Sequence, residues 1–515
     1  MRFGEVARTS KDVTERSSRL AKIDRLAELL RGLRPEEVPV AVAYLAGVLP
    51  QGTIGIGWAS LRSVPPAAEG PPELELLEVH DLLGRIRLAT GPGSQATRRG
   101  LIAELFGRAT EAERDLLRGL LTGELRQGAL AGVMVEAVAQ ASSVPATEVR
   151  RAAMLAGDLG RVAAAAVAEG RAGLAAFRLA VLQPLQSMLA QTAEDVQGAM
   201  ARLAPAAAVV EWKLDGARLQ VHRQGREVRA FTRNLADVTH RVPEVVEAVL
   251  GLPVEAIVLD GEAIALRADA RAHPFQVTMG RFGTRLEVAR LRAEVPLSAF
   301  FFDLLHLDGD DLIDRPLRER TDALAARAPA DLRVPSTITE DPAVAERVLA
   351  DALERGHEGV MVKSAGAPYE AGRRGATWLK VKRAHTLDLV VLAAEWGHGR
   401  RQGWLSNLHL GARDPVGGGF IMLGKTFKGM TDEMLAWQTE RLLALETSRD
   451  DVTVRVRPEV VVEVAVDGVQ TSTRYPGGIA LRFARVKGYR HDKDPADADS
   501  IDTVRAIHRG QPRTA

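Results

Sequence analysis

The spacing of apolar residues changes once along the chain, and that change limits the fold more than any other feature. From Ser17 to about Val181, segments rich in Ala, Leu, Arg and Glu repeat their apolar residues every three or four positions, the pattern of helices packed by one face. A Pro-rich loop from Pro65 to Pro72 interrupts them. Thr110 followed by Glu113 predicts a capping box that opens a helix running to Leu121, where Thr122-Gly123 stops it. After Gln183-Pro184 the period becomes two, in the short runs VVEWKL, LQVHR, EVRAFTR, AIVLDGEAIAL and SAFFFDLL.

A second break is expected near Ala384, where DLVVLAAEW begins a new set of strands after WLKVKR. Five strands with one helix inside the set, over Asp432 to Leu445, suit a small barrel of the OB type. The expected fold class is therefore multidomain α+β: an all-helical part over residues 1–181, a mixed α/β core over 182–384 and an OB-fold β-barrel over 385–515. A length of 515 residues fits several cores better than one.

Composition narrows the chemistry. The chain has no cysteine, which excludes disulfides, thiolate nucleophiles and zinc sites built on Cys. With a net charge of +1, any nucleic-acid footprint has to be a local basic surface. No secretory signal pattern or membrane-length apolar run occurs, so a cytoplasmic protein with no membrane partner is expected.

In the stretch VVEWKLD, alternation puts Glu211, Lys213 and Asp215 on one strand face and Val210, Trp212 and Leu214 on the other. LDGE repeats the device with Asp260 and Glu262, and WLKVK places Trp378, Lys380 and Lys382 together. In HEGVMVKS, Glu358 and Lys363 have an odd separation, so a turn or bulge is needed to bring them to one side. Taken alone, Lys213 fits a solvated strand lysine with salt-bridge partners equally well, and each run fits a charged edge strand. Four such runs together point to a sheet face whose charges need a ligand to neutralise them.

KLDG at Lys213, FTRN at Phe231, LDGE at Leu259, FFDLL at Phe301, EGVMVK at Glu358, WLKVK at Trp378 and RHDK at Arg490 follow the order of the motifs of the covalent nucleotidyltransferases. Within that superfamily the chain resembles the ATP-dependent DNA ligases. PLQSMLA at Pro184, PLRER at Pro316 and LTGELRQGA at Leu121 extend the likeness beyond the catalytic core.

The resemblance implies that Lys213 attacks the α-phosphate of ATP, expels pyrophosphate and carries AMP as a phosphoramidate. AMP then passes to the 5′-phosphate of nicked double-stranded DNA, and the 3′-hydroxyl displaces it. A lysine with a reference pKa of about 10.4 is neutral in roughly one molecule in 2,500 at pH 7, a deficit of about 4.6 kcal/mol. Burial, the neighbouring cations Lys380 and Lys382 and a bound metal are expected to lower that pKa.

By the same resemblance, Glu211 accepts from the adenine amino group, Phe302 stacks on the base, and Arg218 and Arg233 hold the ribose and 5′-phosphate region. Glu262 and Glu358 supply oxygen ligands for Mg²⁺, with ribose binding as the alternative for Glu262. Lys380, Lys382 and Arg374 offset charge on the α-phosphate. Arg490, Asp492 and Lys493 close over the triphosphate, which requires a rotation of the C-terminal part. Arg482 and Arg485, in LRFAR, fall on a strand that resembles the one preceding that motif, with a strand of solvated arginines as the lesser reading. The protein is expected to act as a monomer.

Gly419 to Thr426 satisfies the GxxxxGK[ST] expression, but Phe420 to Leu423 read as the strand itself and no helix follows, so the phosphate-loop reading is rejected. Lys425 and Lys428 read instead as DNA-backbone contacts or solvated barrel lysines. NAD-dependent ligases typically carry a four-cysteine zinc module, and RNA ligases and capping enzymes lack the LTGELRQGA segment. The remaining alternative, a catalytically silent nucleic-acid-binding scaffold, has no reason to keep Lys213, Glu262, Glu358 and Lys380 together.

Overall fold

The computed structural model describes residues 1–509 apart from 53, 63, 72, 126–129, 285, 372, 373, 383 and 384, and of residues 59, 130, 374–376 and 399 the backbone alone. Among the described residues no strand precedes Leu189. The three- and four-residue spacing gives helices that include Phe3–Glu15, Arg19–Arg31, Val38–Leu45, Leu76–Leu88, Ser94–Arg108 and Glu111–Thr122, whose apolar faces share one core running from Phe3 to Leu174. The predicted capping box forms: the Thr110 amide donates to the Glu113 carboxylate at 2.8 Å, and Gly123 ends that helix at φ 69°. Part of the LTGELRQGA stretch, residues 126–129, lies outside the described residues. Among the described residues no helix is long and apolar enough to cross a membrane.

The central part contains β1 (Leu189–Thr192), β2 (Ala208–Lys213), β3 (Ala217–Gln224), β4 (Glu227–Thr232), β5 (Ala256–Ala265), β6 (Leu297–Leu307), β7 (Asp310–Asp311), β8 (Ser336–Thr339), β9 (Gly359–Ser364) and β10 (Arg374–Lys382). They form two five-stranded sheets, in the orders β1-β10-β9-β2-β8 and β4-β3-β5-β6-β7. β1 runs parallel to β10, and the other pairings are antiparallel.

Period-two alternation then assigns the faces. Val210, Val360, Val362, Leu379 and Val381 pack under the helices Val196–Leu203 and Pro342–Glu354. Leu219, Val221, Ile257 and Leu259 pack under Pro243–Leu250 and Leu317–Arg327. The opposite faces meet each other, joined by a cluster that includes Val258, Leu305 and Trp378. Side chains on these inner faces are therefore buried or half-buried, whether apolar or charged.

The C-terminal part contains β11 (His385–Trp396), β12 (Leu405–Arg413), β13 (Phe420–Thr426), β14 (Glu446–Arg449), β15 (Thr453–Val456), β16 (Val461–Val466), β17 (Gly468–Thr471), β18 (Ile479–Arg482) and β19 (Arg485–Tyr489). Here the sequence expectation is corrected: no closed barrel forms among the described residues, so the OB-fold assignment fails. The long β11 forks, pairing with β16 through His385–Val390 and with β15 through Ala393–Glu395, and the sheet branches instead of closing. Its outer strands β13, β14 and β19 do not pair with one another. Near the ends of β13 and β19 the chain is joined by isolated bonds, from the Val486 amide to the Lys428 carbonyl at 2.9 Å and from the Thr426 hydroxyl to the Ala484 carbonyl at 2.6 Å. The helix Asp432–Ala444 packs Leu435 and Leu442 into the core of this sheet. The run IALRFARV also divides, because Phe483 at φ 52° breaks the strand and sends β18 to a two-stranded ribbon with β17.

One buried ion pair braces the central part. Arg320, fully buried on the helix Leu317–Arg327, holds Asp303 of β6 through Nε at 2.7 Å and Nη2 at 3.0 Å, and its Nη1 donates to the Arg315 and Ala367 carbonyls. Replacing Arg320 with Leu strands the Asp303 carboxylate, and the expected loss is about 3–5 kcal/mol. Urea unfolding followed by tryptophan fluorescence checks it; a loss below about 1 kcal/mol contradicts the bracing role.

Candidate active site

β2 carries Lys213 at its last position, on the inner face and largely buried. Its Nζ lies 2.6 Å from Glu358 Oε2, and the same carboxylate oxygen receives Lys382 Nζ at 2.7 Å. Glu358 directly precedes β9, where its amide donates to the Lys213 carbonyl at 3.1 Å. The odd separation of Glu358 and Lys363 is resolved at Gly359, which takes φ 148° where β9 starts. A Cβ there would sit 2.1 Å from the Val381 carbonyl oxygen, so only glycine fits.

Around this lysine cluster the other charged side chains are also paired. Glu211 meets Lys363 in a buried ion pair. Glu262 accepts the Gly216 amide at 3.2 Å. Arg218 is held by Asp260 at 3.0 and 2.6 Å, and Asp260 also receives the Tyr369 hydroxyl at 2.7 Å. Phe302 stands edge-on to Trp378 with ring centres 6.0 Å apart, with the Arg218 guanidinium 5.4 Å and Lys363 Nζ 4.2 Å from its ring. The charges on the sheet face thus neutralise one another before any ligand arrives.

Electrostatics reverse one sequence expectation. Burial alone lowers the Lys213 pKa, but the Glu358 and Glu262 carboxylates more than offset it, and the net shift is upward. The carboxylates outweigh burial, so the lysine is stabilised as an ammonium. Burial pushes Glu358 up, and Lys213 and Lys382 overcome that and hold it at about 2. Burial raises Glu211 to about 7 against the pull of Lys363, and it also raises Glu262 and Asp215.

The remaining predicted residues are placed as follows. Lys380 lies on β10 opposite Met361. The backbone of Arg374 starts β10, and its side chain lies outside the described residues. Arg233 is exposed after β4 and is joined to the lysine cluster by no hydrogen bond or ion pair among the described residues. Arg490 and Lys493 turn to their own part of the chain, gripping Asp388 of β11 at 3.1 and 2.6 Å, while Asp492 pairs with Arg490 at 2.6 Å.

Two other C-terminal residues reach the central part instead. Arg482 bonds Asp215 at 2.9 Å, and Asp467 lies 3.4 Å from Lys382 Nζ. Arg485 is exposed, and Lys425 pairs with Glu395. The phosphate-loop match at Gly419 to Thr426 falls on strand β13, in line with its rejection. Sequence reading missed Lys363 as the partner of Glu211 and Tyr369 as the partner of Asp260. A lysine inside the apolar run VMVKS was the available signal for the first; a lone loop tyrosine offered none for the second.

Comparisons with known proteins follow the same layout. The family model described as ATP dependent DNA ligase domain matches residues 187–382. The model for the ATP dependent DNA ligase C terminal region matches 401–493, and that for the DNA ligase N terminus matches 59–139. A protein named Probable DNA ligase from Anaeromyxobacter sp. (strain Fw109-5) is 61% identical over 514 residues, covering 99% of each chain. Another of that name from Mycolicibacterium gilvum (strain PYR-GCK) is 60% identical over 98% of each chain. The solved structure titled Pmar-Lig_Pre is 19% identical and aligns with a TM-score of 0.63 over 94% of this chain and 99% of its own, a likeness of fold.

The raised Lys213 pKa makes a direct prediction. Replacing Glu358 with Gln removes the nearest negative charge and leaves burial as the larger influence, so the midpoint for amine-directed labelling of Lys213 is expected to move to lower pH. Peptide mass spectrometry across a pH series reads that midpoint, and an unchanged or higher value contradicts the assignment.

Proposed function

The chain belongs to the ATP-dependent DNA ligase family and uses ATP to seal nicks in duplex DNA, and from that premise we propose that Lys213 is the nucleophile that takes up AMP. The observation that carries this reading is the position of Lys213 at the buried end of β2, with Glu358, Glu262 and Lys382 converging on it in the cleft between the sheets. Neutral Lys213 attacks the α-phosphorus, a P–N bond forms, and the bond to pyrophosphate breaks. AMP then passes to the 5′-phosphate at a DNA nick, and the 3′-hydroxyl attacks that phosphate and releases AMP. The lysine proton must leave before or as the P–N bond forms, and Glu358, 2.6 Å from the ammonium, is the nearest carboxylate to it.

The other roles are assigned on the same premise. Glu211 accepts from the adenine amino group by exchanging it for Lys363, and Phe302 stacks on the base. Arg218, fixed by Asp260, presents a rigid cation to the ribose side, with Arg233 further out. Lys380, Lys382 and Arg374 offset charge on the α-phosphate.

Glu262 and Glu358 are hard oxygen donors of the kind Mg²⁺ takes. Among the described residues no cluster of three or more metal-binding side chains forms, so an ion held by these two carboxylates would need phosphate or water oxygens as further ligands. When bound, the ion supplies positive charge that competes with Lys213 for Glu358 and so favours the neutral amine.

We further propose three units, 1–181, 182–384 and 385–515, in a cytoplasmic monomer that surrounds the nicked duplex. In the present arrangement Arg482 and Asp467 face the lysine cluster, while Arg490 and Lys493 are held on Asp388. Charging with AMP requires the C-terminal unit to turn so that Arg490 and Lys493 replace them over the triphosphate.

Intact mass after incubation with ATP and Mg²⁺, without DNA, tests the nucleophile. An AMP-sized adduct is expected in the wild type and absent in Lys213→Ala, and its loss on adding nicked DNA follows from transfer. An adduct that survives in Lys213→Ala rejects the assignment. Phosphate contacts are expected to dominate DNA affinity, so sealing falls as salt rises from about 50 to 200 mM; a rate that does not change removes that support.

A further inference from the structure

A cavity of about 410 Å³ opens beside the carboxyl end of β2, within the size range of small-ligand sites. Lys213, Glu211, Glu262, Phe302 and Glu358 do not line it. Its walls come from both sheets: half-buried Trp212 on β2 and half-buried Phe300 on β6, with Leu214 and Ile264 between them. Two partly exposed aromatic side chains in the wall of one cavity give it an apolar surface suited to a flat ring.

The polar groups narrow the class. His357 is only 8% exposed and packs its ring against Trp212 at 4.9 Å, and its Nδ1 has no hydrogen-bond partner among the described residues. A buried polar nitrogen left unpaired is unfavourable, and a ligand N–H satisfies it once the His357 ring turns toward the cavity with its own proton on Nε2. Asp269, Asp351 and Glu354 stand around the cavity with Arg271 and Arg355. Arg355 is already committed, to Asp351 at 3.0 Å and to the face of Trp212 at 5.1 Å. The balance of Asp269 and Glu354 against Arg271 favours a donor or a cation over an anion.

We propose that this cavity is a second ligand site, that it takes a small planar heteroaromatic ring bearing amino or amidinium N–H groups, and that its occupancy acts on Lys213. The coupling is short. Trp212 directly precedes Lys213, His357 directly precedes Glu358, and Lys213 pairs with Gly359 across the ladder between β2 and β9. A ring that displaces Trp212 or His357 moves one partner of the Lys213–Glu358 pair relative to the other. This second half rests on Lys213 being the residue that takes up AMP.

The test titrates 2-aminobenzimidazole, with benzoate as the anionic control, against the full chain by ligand-observed NMR, with and without saturating ATP. Two variants accompany it: Asp269→Asn with Glu354→Gln, which changes exposed side chains only, and Leu266→Trp, which fills the cavity. The amino-substituted ring is expected to bind with ATP present. Its affinity is expected to fall about fivefold or more in the charge-neutralised variant and to vanish in Leu266→Trp. Absence of binding, displacement by ATP, equal binding of benzoate, or indifference to both variants overturns the site. The rate of AMP adduct formation at saturating probe is expected to change about twofold or more in the wild type and not in Leu266→Trp; an unchanged rate overturns the coupling. Failure to form any adduct without probe defeats the role of Lys213 instead, and the binding titration still decides the site.

Discussion

The pairing of Lys213 with Glu358 organises the cleft. It joins the last residue of β2 to the residue before β9, two strands that already share a ladder, so the ion pair and the main chain hold the same geometry. Around it the inner faces of both sheets carry charges that a shielded environment tolerates only when matched, and each finds a partner within the protein. The resting site is therefore electrically closed. A triphosphate that enters competes with carboxylates for lysines already in place. The cleft thus exchanges partners on binding and is not a void awaiting charge.

Much of this was legible one strand at a time. Alternation alone put Glu211 with Lys213, Asp260 with Glu262, and Trp378 with Lys380 and Lys382, because a strand has only two faces. What alternation does not encode is which strand lies opposite. The pairings of Arg218 with Asp260, Lys363 with Glu211 and Arg320 with Asp303 depend on sheet order and on a helix packed across it. The sign of the Lys213 shift was missed for the same reason: cations at 380 and 382 are visible in WLKVK, but the carboxylate standing between Lys382 and Lys213 arrives from another strand.

The C-terminal part shows the limit from another side. Strand-length runs and one helix described its elements, yet closure of a sheet depends on whether the outer strands meet, and no local pattern fixes that. β11 is long enough to serve two neighbours in succession, which branches the sheet. Phe483 breaks the final run without a glycine or proline to announce it. Two consecutive strands thereby look in different directions: Arg482 at the end of β18 touches the central part, while Arg490 just after β19 is turned toward Asp388.

Lys382 ends β10, the last strand of the central part, and its ammonium lies between Glu358 on one side and Asp467 on the other. A single side chain thus sits at the seam between the two parts of the chain and inside the lysine cluster. Any polyanion that draws this ammonium inward loosens the seam as it does so, and any swing of the C-terminal part redistributes positive charge next to Lys213. The contact between the two parts of the chain and the charge beside Lys213 thus depend on the same ammonium.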